Sequence, residues 1–272
     1  MNLLLVGHGY LGQAVTREFR AGGWDVTPVS LSGGDGCLAC DVADPVAVSR
    51  LPRADAIVHC AASGRGGAAA YQRVYVEGCR NLTDKFPGVP LVFTSSTSVY
   101  AQTDGSWVTE ASSAMPERET GRLLLDAERV VLGAGGWVAR LAGIYGPGRS
   151  VILKKFLAGE AVIEDDGGRF LNQVHRDDAA SAIYHLVTRG AGRGVFNVSD
   201  SQPLTQLDCY AALGAMLARP LPISGPRDPN RKRGWTHKQV SNAKLRATDW
   251  QPEFPSFLDA AAQIAGTLDE VK

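Results

Sequence analysis

The 272-residue sequence lacks features that would place it in several large classes of protein. It has no excess of either charge, because 28 lysines and arginines balance 28 aspartates and glutamates, and so it offers no basic surface for nucleic acid or membrane. It also has no long hydrophobic run. The apolar stretch at residues 3–6 is too short for a membrane span or the core of a signal peptide. We therefore expect a cytoplasmic globular protein.

Cysteine is scarce and unevenly placed. An odd count of five in a chain without a visible signal peptide argues against a disulfide framework. Cys37 and Cys40 form a CxxC pair, but no second pair completes a zinc site. We favour a short strand here over a redox pair, and we predict no metal site.

Short apolar runs alternate with helical patterns in the first half of the chain, which predicts an α/β fold. The expected architecture is a Rossmann-type doubly wound parallel sheet with a smaller, interwoven C-terminal substrate lobe. Residues 1–145 would form the dinucleotide-binding core. Residues 146–272 would form mainly the substrate lobe, with a segment at about 170–200 returning to the core. We expect the proline-rich stretch at residues 220–229 to be a loop.

A glycine-rich loop follows the first predicted strand and opens the first predicted helix. It reads Gly7-His8-Gly9-Tyr10-Leu11-Gly12. The first glycine permits a tight turn, the second lets a diphosphate approach the backbone, and the third lets the helix pack closely on the strand. Because strand, loop and helix stand in the required order, we predict dinucleotide binding at Gly7, Gly9, Tyr10, Leu11 and Gly12.

The end of the second predicted strand bears on the choice between NAD and NADP. An acidic residue there would bind the ribose hydroxyls and favour NAD, but the chain has Ser30. Ser30 and Ser32 leave room for a 2′-phosphate, which favours NADP, although no arginine stands beside them. Asp35 lies in the following loop and could approach the ribose, so NAD stays open as the alternative.

Several further segments, in this order and spacing, resemble the extended short-chain dehydrogenase/reductases, the family of NAD-dependent sugar epimerases and dehydratases. The resemblance covers nearly the whole chain. Its segments are residues 7–12, Cys40-Asp41-Val42-Ala43-Asp44, Val58-His59-Cys60-Ala61-Ala62, residues 93–100, residues 140–149, residues 174–178 and Phe196-Asn197-Val198-Ser199-Asp200. The resemblance implies that Asp41 bonds the adenine, Val42 lies against its ring, and Ala61 and Ala62 line the cofactor path.

The family's chemistry uses a serine, an asparagine and a tyrosine–lysine pair to hold the substrate and move a proton. Ser96 matches the serine. By the family's register, Thr120 and Leu124 stand in place of the tyrosine and the lysine, and Tyr75 stands in place of the asparagine. Threonine is a poor acid or base near neutral pH, so the sequence resembles an atypical subgroup that has lost this pair.

Other residues could replace the missing groups. Tyr75, Tyr100 and Tyr145 lie in segments expected near the nicotinamide, although each could be a packing aromatic, which is the interpretation favoured for Tyr100. We take Ser96, Tyr75 and Thr120 as the catalytic candidates. The candidate substrate-binding residues are Tyr145, Arg149 and Arg233, of which the arginines could also be solvated surface groups. The segment His175 to Asp178 is most simply a helix start capped by Asp177 or Asp178.

Two functions follow from these residues. The first is an NAD(P)-binding oxidoreductase of the epimerase/dehydratase type that acts on a small molecule. The second is a non-catalytic NAD(P)-binding sensor or regulatory protein, which the lost pair would favour. A homodimer could form through the helices predicted at residues 68–85 and 119–132.

Overall fold

The computed structural model describes residues 1–64, 66–189, 192–227 and 235–268. The strands are β1 (Asn2–Val6), β2 (Asp25–Ser30), β3 (Leu38–Ala39), β4 (Ala56–His59), β5 (Leu91–Ser96), β6 (Trp107–Val108), β7 (Trp137–Leu141), β8 (Gly143–Tyr145), β9 (Val162–Glu164), β10 (Phe170–Leu171), β11 (Gln173–His175), β12 (Gly194–Val198), β13 (Leu204–Thr205), β14 (Ile223–Gly225) and β15 (Gln239–Val240).

The helices are α1 (Tyr10–Ala21), α2 (Pro45–Ser49), α3 (Gly67–Tyr71), α4 (Gly78–Lys85), α5 (Glu119–Gly133), α6 (Val151–Leu157), α7 (Arg176–Thr188), α8 (Gln206–Leu217), α9 (Ala243–Arg246) and α10 (Phe257–Leu268). A π-helical turn (Gln72–Glu77) joins α3 directly to α4, and a 3-10 turn (Thr97–Val99) follows β5.

Seven strands pair in parallel to form the central sheet, in the order β12-β7-β5-β4-β1-β2-β3. The order reverses beside β1, where strands continue outward on both sides. In open parallel sheets a ligand binds outside the carboxyl ends of the strands at such a point. The predicted Rossmann-type fold is confirmed, and its topology places a binding crevice next to the glycine-rich loop.

Both faces of the sheet are covered, because successive side chains of a strand point in opposite directions. Leu3 and Leu5 of β1 belong to a buried cluster that includes residues of α1 and α7. Leu4 and Val6 belong to a second cluster on the other face, with residues of α4 and α5. The run Leu3–Val6 is apolar throughout because it is buried on both faces.

The C-terminal part of the chain has a core of its own and also returns to the sheet. A third buried cluster unites residues of α6, α8 and α10. Strand β12 adds to the sheet beside β7, and α7 packs against α1. Leu245 and Trp250 also reach the cluster under α1. The proposed boundary near residue 145 stays a prediction.

Two local predictions were wrong. The stretch at residues 220–229 is not all loop, because β14 lies within it and pairs in parallel with β9. Helix α7 is capped by His175, whose Nδ1 accepts from the Asp177 N–H at 3.3 Å. Asp178 instead accepts from the backbone N–H groups of Glu253 and Phe254 at 2.7 and 3.1 Å.

A buried polar network crosses the sheet beneath the crevice. The Arg140 guanidinium in β7 pairs with Glu128 of α5 at 2.6 Å and donates to the Tyr100 hydroxyl at 2.9 Å. Ser95 donates to Glu128, and the Tyr100 hydroxyl donates to Asn197 at 2.9 Å. Because every member has a partner, the network can stay buried without an uncompensated charge.

We expect Arg140→Met to lower the free energy of unfolding by about 3 kcal/mol or more, since Glu128 would be left buried without its partner. Equilibrium unfolding in urea measures this loss. The matched control is Arg129→Met, which removes the exposed Arg129–Asp126 pair and should cost less than about 1 kcal/mol. Equal losses for the two variants would contradict a structural role for the buried pair.

Candidate functional site

The glycine-rich loop leaves bare backbone at the start of α1. Gly7 has a φ of +101°, a conformation that side chains rarely adopt. A Cβ atom on Gly12 would lie 2.1 Å from the Gly7 carbonyl oxygen, so the helix packs directly on the loop. A Cβ on Gly9 would meet no protein atom within 4 Å. The N-cap Gly9 has no side chain to accept from the first N–H groups of the helix, which therefore suit an anion.

A cavity of about 280 Å³ opens above this loop, and we call it the glycine-loop cleft. It runs along the carboxyl ends of β1, β4, β5 and β7. Its lining residues are Gly7, Gly9, Tyr10, Leu11, Gly12, Cys60, Ala61, Ala62, Tyr71, Tyr75, Thr94, Ser95, Ser96, Ser98, Leu124, Leu141, Ala142, Ile144 and Arg149. All five residues predicted from the glycine motif line it together with Ala61 and Ala62.

A second cavity of about 430 Å³ adjoins the first, and we call it the outer cleft. Three residues, Tyr71, Ser98 and Leu124, line both cavities. The other lining residues are Gly67, Ala68, Ala101, Thr103, Pro116, Glu117, Arg118, Glu119, Thr120, Gly121, Trp235 and Thr236. A molecule in the outer cleft would therefore lie beside whatever occupies the far end of the glycine-loop cleft.

The candidate catalytic residues divide between the two cavities. Ser96 and Tyr75 line the glycine-loop cleft, whereas Thr120 lines the outer cleft. The Ser96 hydroxyl accepts from the Ser98 N–H at 3.2 Å, which leaves its own proton available. Leu124 lines both cavities and brings an apolar side chain to their boundary.

Tyr75 is held by an unusual stretch of helix. It lies in the π-helical turn between α3 and α4, and its hydroxyl accepts from the Ser63 N–H at 3.1 Å. Its ring packs edge-on against Tyr71 with centroids 4.9 Å apart. Insertions of this kind are frequent at functional sites because they turn a side chain out of the regular helical register.

His59 supports this turn from inside the sheet. It is fully buried at the end of β4, and burial lowers its pKa to about 4, so the ring is neutral near pH 7. Its Nε2 lies 2.9 Å from the Val74 carbonyl oxygen, which can only accept. The ring therefore donates to the π-helical turn and fixes it over β4.

The residues predicted to contact the adenosine include a charged pair. Asp41 accepts from the Ala43 N–H at 3.0 Å, and its other oxygen pairs with Arg73 at 2.6 Å. Val42 is buried against the helix that begins at Gly78. The Ser30 hydroxyl donates to the Gly33 carbonyl at 3.3 Å. None of Ser30, Asp41 and Val42 lines the described part of the glycine-loop cleft, so their cofactor roles stay predictions.

Two tyrosine candidates belong to the packed interior. Tyr145, expected to bind substrate, is fully buried, packs against Phe257 with centroids 4.8 Å apart, and lines neither cleft. We therefore withdraw it from the substrate site. Tyr100 is also fully buried, and its hydroxyl is held by Asn197 and Arg140 rather than facing solvent.

The candidate arginines are placed differently from each other. Arg149 lines the glycine-loop cleft, with its guanidinium 5.0 Å from the centroid of the Tyr10 ring. It thus lies beside the glycine-rich loop and does not line the described part of the outer cleft. Its predicted contact with a substrate stays a prediction. Arg233 lies outside the described residues.

Three further residues at or near the clefts were not predicted from the sequence. Tyr71 stands four residues before Tyr75, a helical spacing that puts the two side chains on one face and could have identified Tyr71 as a second residue of the site. Ser98 lies within a segment that carries the family resemblance. Lys238 gave no signal: it is buried below the outer cleft, where its ammonium donates to the Tyr100 carbonyl and the Thr236 hydroxyl at 2.8 and 3.0 Å. Burial lowers its pKa to about 8.

The parallel seven-stranded sheet, the glycine loop and the paired clefts define a Rossmann fold of the NAD(P)-binding epimerase and reductase class. Residues 1–208 match the family model described as the RmlD substrate binding domain. The chain belongs to this family. The resemblance to NAD-dependent epimerases and dehydratases is thereby confirmed.

Two relatives align over most of the chain. Protein YeeZ of Escherichia coli strain K12 is 31% identical in an alignment 217 residues long that covers 71% of this chain and 76% of that protein. The 2′-dehydrokanamycin reductase of Streptomyces kanamyceticus is 26% identical in an alignment 275 residues long, gaps included, that covers 90% of this chain and 73% of that protein.

Solved structures share the fold over nearly the full length. A putative NAD-dependent epimerase/dehydratase from Methylobacillus flagellatus is 26% identical, with a TM-score of 0.81 and 98% of each chain covered. The human epimerase family protein SDR39U1, solved with NADPH, is 22% identical, with a TM-score of 0.82, covering 98% of this chain and all of that one.

Among the residues described, no helix combines the length and the apolar character needed to cross a membrane. The cytoplasmic location and the homodimer stay predictions.

We expect protonation of His59 to destabilise the fold in acid. Its pKa is about 4 in the folded state and 6.5 in an exposed chain, so the unfolded state takes up the proton first. The contribution of neutral His59 is therefore complete above pH 6.5 and declines by about 3 kcal/mol as the pH falls to 4.

Urea unfolding between pH 7 and pH 4 gives the free energies of unfolding of the wild type and of His59→Gln. The amount by which the wild type exceeds His59→Gln in free energy of unfolding should shrink as the pH falls. The control is His185→Gln, which changes a half-buried ring bonded to Thr248 at 2.9 Å and should leave the decline in place. A decline of the same size in His59→Gln would contradict the assignment.

Proposed function

We propose that the protein is an NAD(P)H-dependent oxidoreductase that reduces a carbonyl group of a small molecule held in the outer cleft. The observation that carries this proposal is the junction of the two clefts at Tyr71, Ser98 and Leu124. A dinucleotide on the glycine loop and a small molecule in the outer cleft would meet there. A cavity of about 430 Å³ at that junction supports an enzyme over a binding protein without a substrate.

The glycine-loop cleft suits the cofactor in both shape and charge. Gly9 gives a diphosphate access to the first N–H groups of α1. Arg149 adds a positive charge beside the same loop. Ala61 and Ala62 leave the path toward β5 free of large side chains. The absence of a carboxylate at Ser30 supports NADP over NAD.

Ser96 and Tyr75 are the proposed polar partners of the reacting carbonyl. When bound, the nicotinamide supplies the hydride. The Ser96 hydroxyl would donate a hydrogen bond to the carbonyl oxygen. Since the Ser63 N–H uses an acceptor site on the Tyr75 hydroxyl, the hydroxyl's own proton is left to complete the new alcohol. Thr120, which lines the outer cleft, would orient the substrate.

Leu124 stands where the family has a lysine that stabilises the tyrosinate. Leu124 carries no charge, so it gives no such support. When Tyr75 gives its proton to the new alcohol, the tyrosinate that remains would keep the hydrogen bond from the Ser63 N–H and regain a proton from solvent. The relative named as a reductase is in keeping with carbonyl reduction.

The cofactor is tested by the Gly9→Ala variant. A methyl group there meets no protein atom, so the fold should persist while the diphosphate loses its place, and the Kd for NADPH should rise about 100-fold. Fluorescence titration measures this Kd. Gly133→Ala is the matched control, because a Cβ at Gly133 in α5 also meets nothing within 4 Å. If the wild type binds neither NADPH nor NADH, the proposed function is wrong.

Catalysis is tested by Tyr75→Phe. A screen of aldehydes, ketones and nucleotide sugars for oxidation of the cofactor first identifies a substrate. With that substrate, Tyr75→Phe should lower kcat about 100-fold, the scale of general acid catalysis, and leave the Kd for NADPH unchanged. Tyr184→Phe, on the opposite face of the sheet, serves as the control.

Unchanged turnover in Tyr75→Phe would remove Tyr75 as the acid. Tight binding of the cofactor without turnover across the whole screen would instead support a sensor.

A further inference from the structure

A buried lysine beneath the outer cleft has no carboxylate to balance its charge. Lys238 is only 4% exposed. Within the part of the chain that the structure describes, no carboxylate lies within ion-pair distance of its ammonium. The charged neighbour that affects it, Arg169, is also a cation. A buried charge without a partner is unfavourable, so an anion that entered the cleft from solution would supply the missing counter-charge.

The ammonium keeps its charge near neutral pH. Burial, with a smaller effect of Arg169, lowers the pKa of Lys238 from 10.5 to about 8, so the protonated form predominates at pH 7. Two of its three N–H donors are used, by the Tyr100 carbonyl at 2.8 Å and by the Thr236 hydroxyl at 3.0 Å. Both acceptors are neutral groups, so neither compensates the charge.

Thr236 carries the effect of this charge to the wall of the cleft. It lines the outer cleft, and its hydroxyl oxygen accepts from Lys238. A hydroxyl has one proton to donate, and no described residue accepts the proton of Thr236. That proton is therefore available to a ligand. The hydrogen bond from the ammonium polarises the hydroxyl and makes it a better donor.

Two links hold this hydroxyl against a neighbouring part of the wall. The Lys238 ammonium bonds to the carbonyl of Tyr100, which precedes the lining residue Ala101. The His237 N–H donates to the Gln102 carbonyl at 3.0 Å. The donor is therefore in place before a ligand arrives, which lowers the entropic cost of binding.

The charges on the rim of the cleft are weaker than the charge below it. Glu117, Arg118 and Glu119 line the outer cleft, but all three are exposed. Solvent screens exposed charges strongly and buried charges much less. One buried cation with one hydroxyl suits a group that carries a single negative charge. A phosphate ester, with a charge of about −1.5 to −2, would be balanced less fully and repelled more strongly by Glu117 and Glu119.

We propose that the substrate of the outer cleft is an oxo acid, a molecule with a carboxylate in addition to its reactive carbonyl, and that Thr236 over Lys238 binds this carboxylate. The inference rests on the proposed function and names its class of substrate. Hydride and proton add to the carbonyl group, and the carboxylate is unchanged. Lys238 is a positioning residue, since it acts through Thr236 and through its charge.

The test compares the binding of acids with that of their neutral esters. Tyr71, Pro116 and Trp235 line the same cleft with ring side chains, so the probes are phenylpyruvate and benzoylpropionate, each beside its methyl ester. The two acids differ in the separation of carbonyl and carboxylate. Isothermal titration calorimetry of the full chain without nucleotide gives each Kd. At least one acid should bind about tenfold more tightly than its ester, the scale of a charge-assisted hydrogen bond.

Variants at the two residues assign the preference. Thr236→Val removes the hydroxyl with little change of shape, so it should weaken the acid about tenfold and leave the ester unchanged. Thr236→Ser, which retains the hydroxyl, should keep most of the preference. Lys238→Met should abolish it. The matched control is Lys244→Met, because the Lys244 ammonium also donates to a backbone carbonyl, that of Val195 at 2.6 Å; both Kd values should stay unchanged.

A kinetic measurement separates positioning from a general loss of structure. With NADPH and the preferred acid, Thr236→Val should raise KM about tenfold and leave kcat within about twofold, because the carboxylate contact is the same in substrate and transition state. Circular dichroism verifies that each variant is folded. Thr236→Val carries the test if Lys238→Met does not fold.

Four outcomes would overturn the proposal: esters that bind wild type as tightly as their acids, equal weakening of acid and ester in Thr236→Val, a greater loss of acid binding in Arg118→Met than in Lys238→Met, or tighter binding of dihydroxyacetone phosphate or phenacylamine than of either acid. Reduction of neutral carbonyls without a preference for acids would leave the proposed function intact. Preferred binding of an acid without turnover by either nucleotide would refute the proposed function and leave the carboxylate site.

Discussion

The close approach of α1 to the end of β1 is the constraint on which the site depends. A Cβ on Gly12 would lie 2.1 Å from the Gly7 oxygen, so the helix can start at this depth only because no side chain intervenes. This contact aims the first N–H groups of α1 into the crevice and leaves Gly9 open above them. The carboxyl ends of β4 and β5 then complete the walls at Ala61 and Ser96.

The π-helical turn brings Tyr75 to the glycine-loop cleft, and His59 holds the turn from the buried side through the Val74 carbonyl. Helix α5 contributes Thr120 to the outer cleft and Leu124 to the boundary between the two clefts. Tyr75 therefore shares the glycine-loop cleft with Ser96 of β5, and the apolar side chain of Leu124 lies between that cleft and the outer one.

The other aromatic candidates show how burial decides function. Tyr100 follows the 3-10 turn after β5, and Tyr145 is the last residue of β8, which pairs with β11. Both are fully buried. The Tyr100 hydroxyl is consumed by Arg140 and Asn197, and Tyr145 fills the core of the C-terminal part beside Phe257. A ligand cannot reach either hydroxyl, because the Tyr100 hydroxyl is hydrogen-bonded within the protein and the Tyr145 side chain is fully enclosed by protein atoms.

The sequence alone determined the sheet, the glycine loop and its place at the carboxyl end of β1, because local patterns of apolar residues and glycines encode strands, turns and helix starts directly. It also identified Ser96 and Tyr75, which share a cleft. The tertiary structure decided what depends on long-range packing: that Tyr145 is core, that Arg149 lies beside the glycine loop, and that Lys238 lies beneath the outer cleft. These positions are set by contacts between segments far apart in the chain, and no local pattern records such contacts.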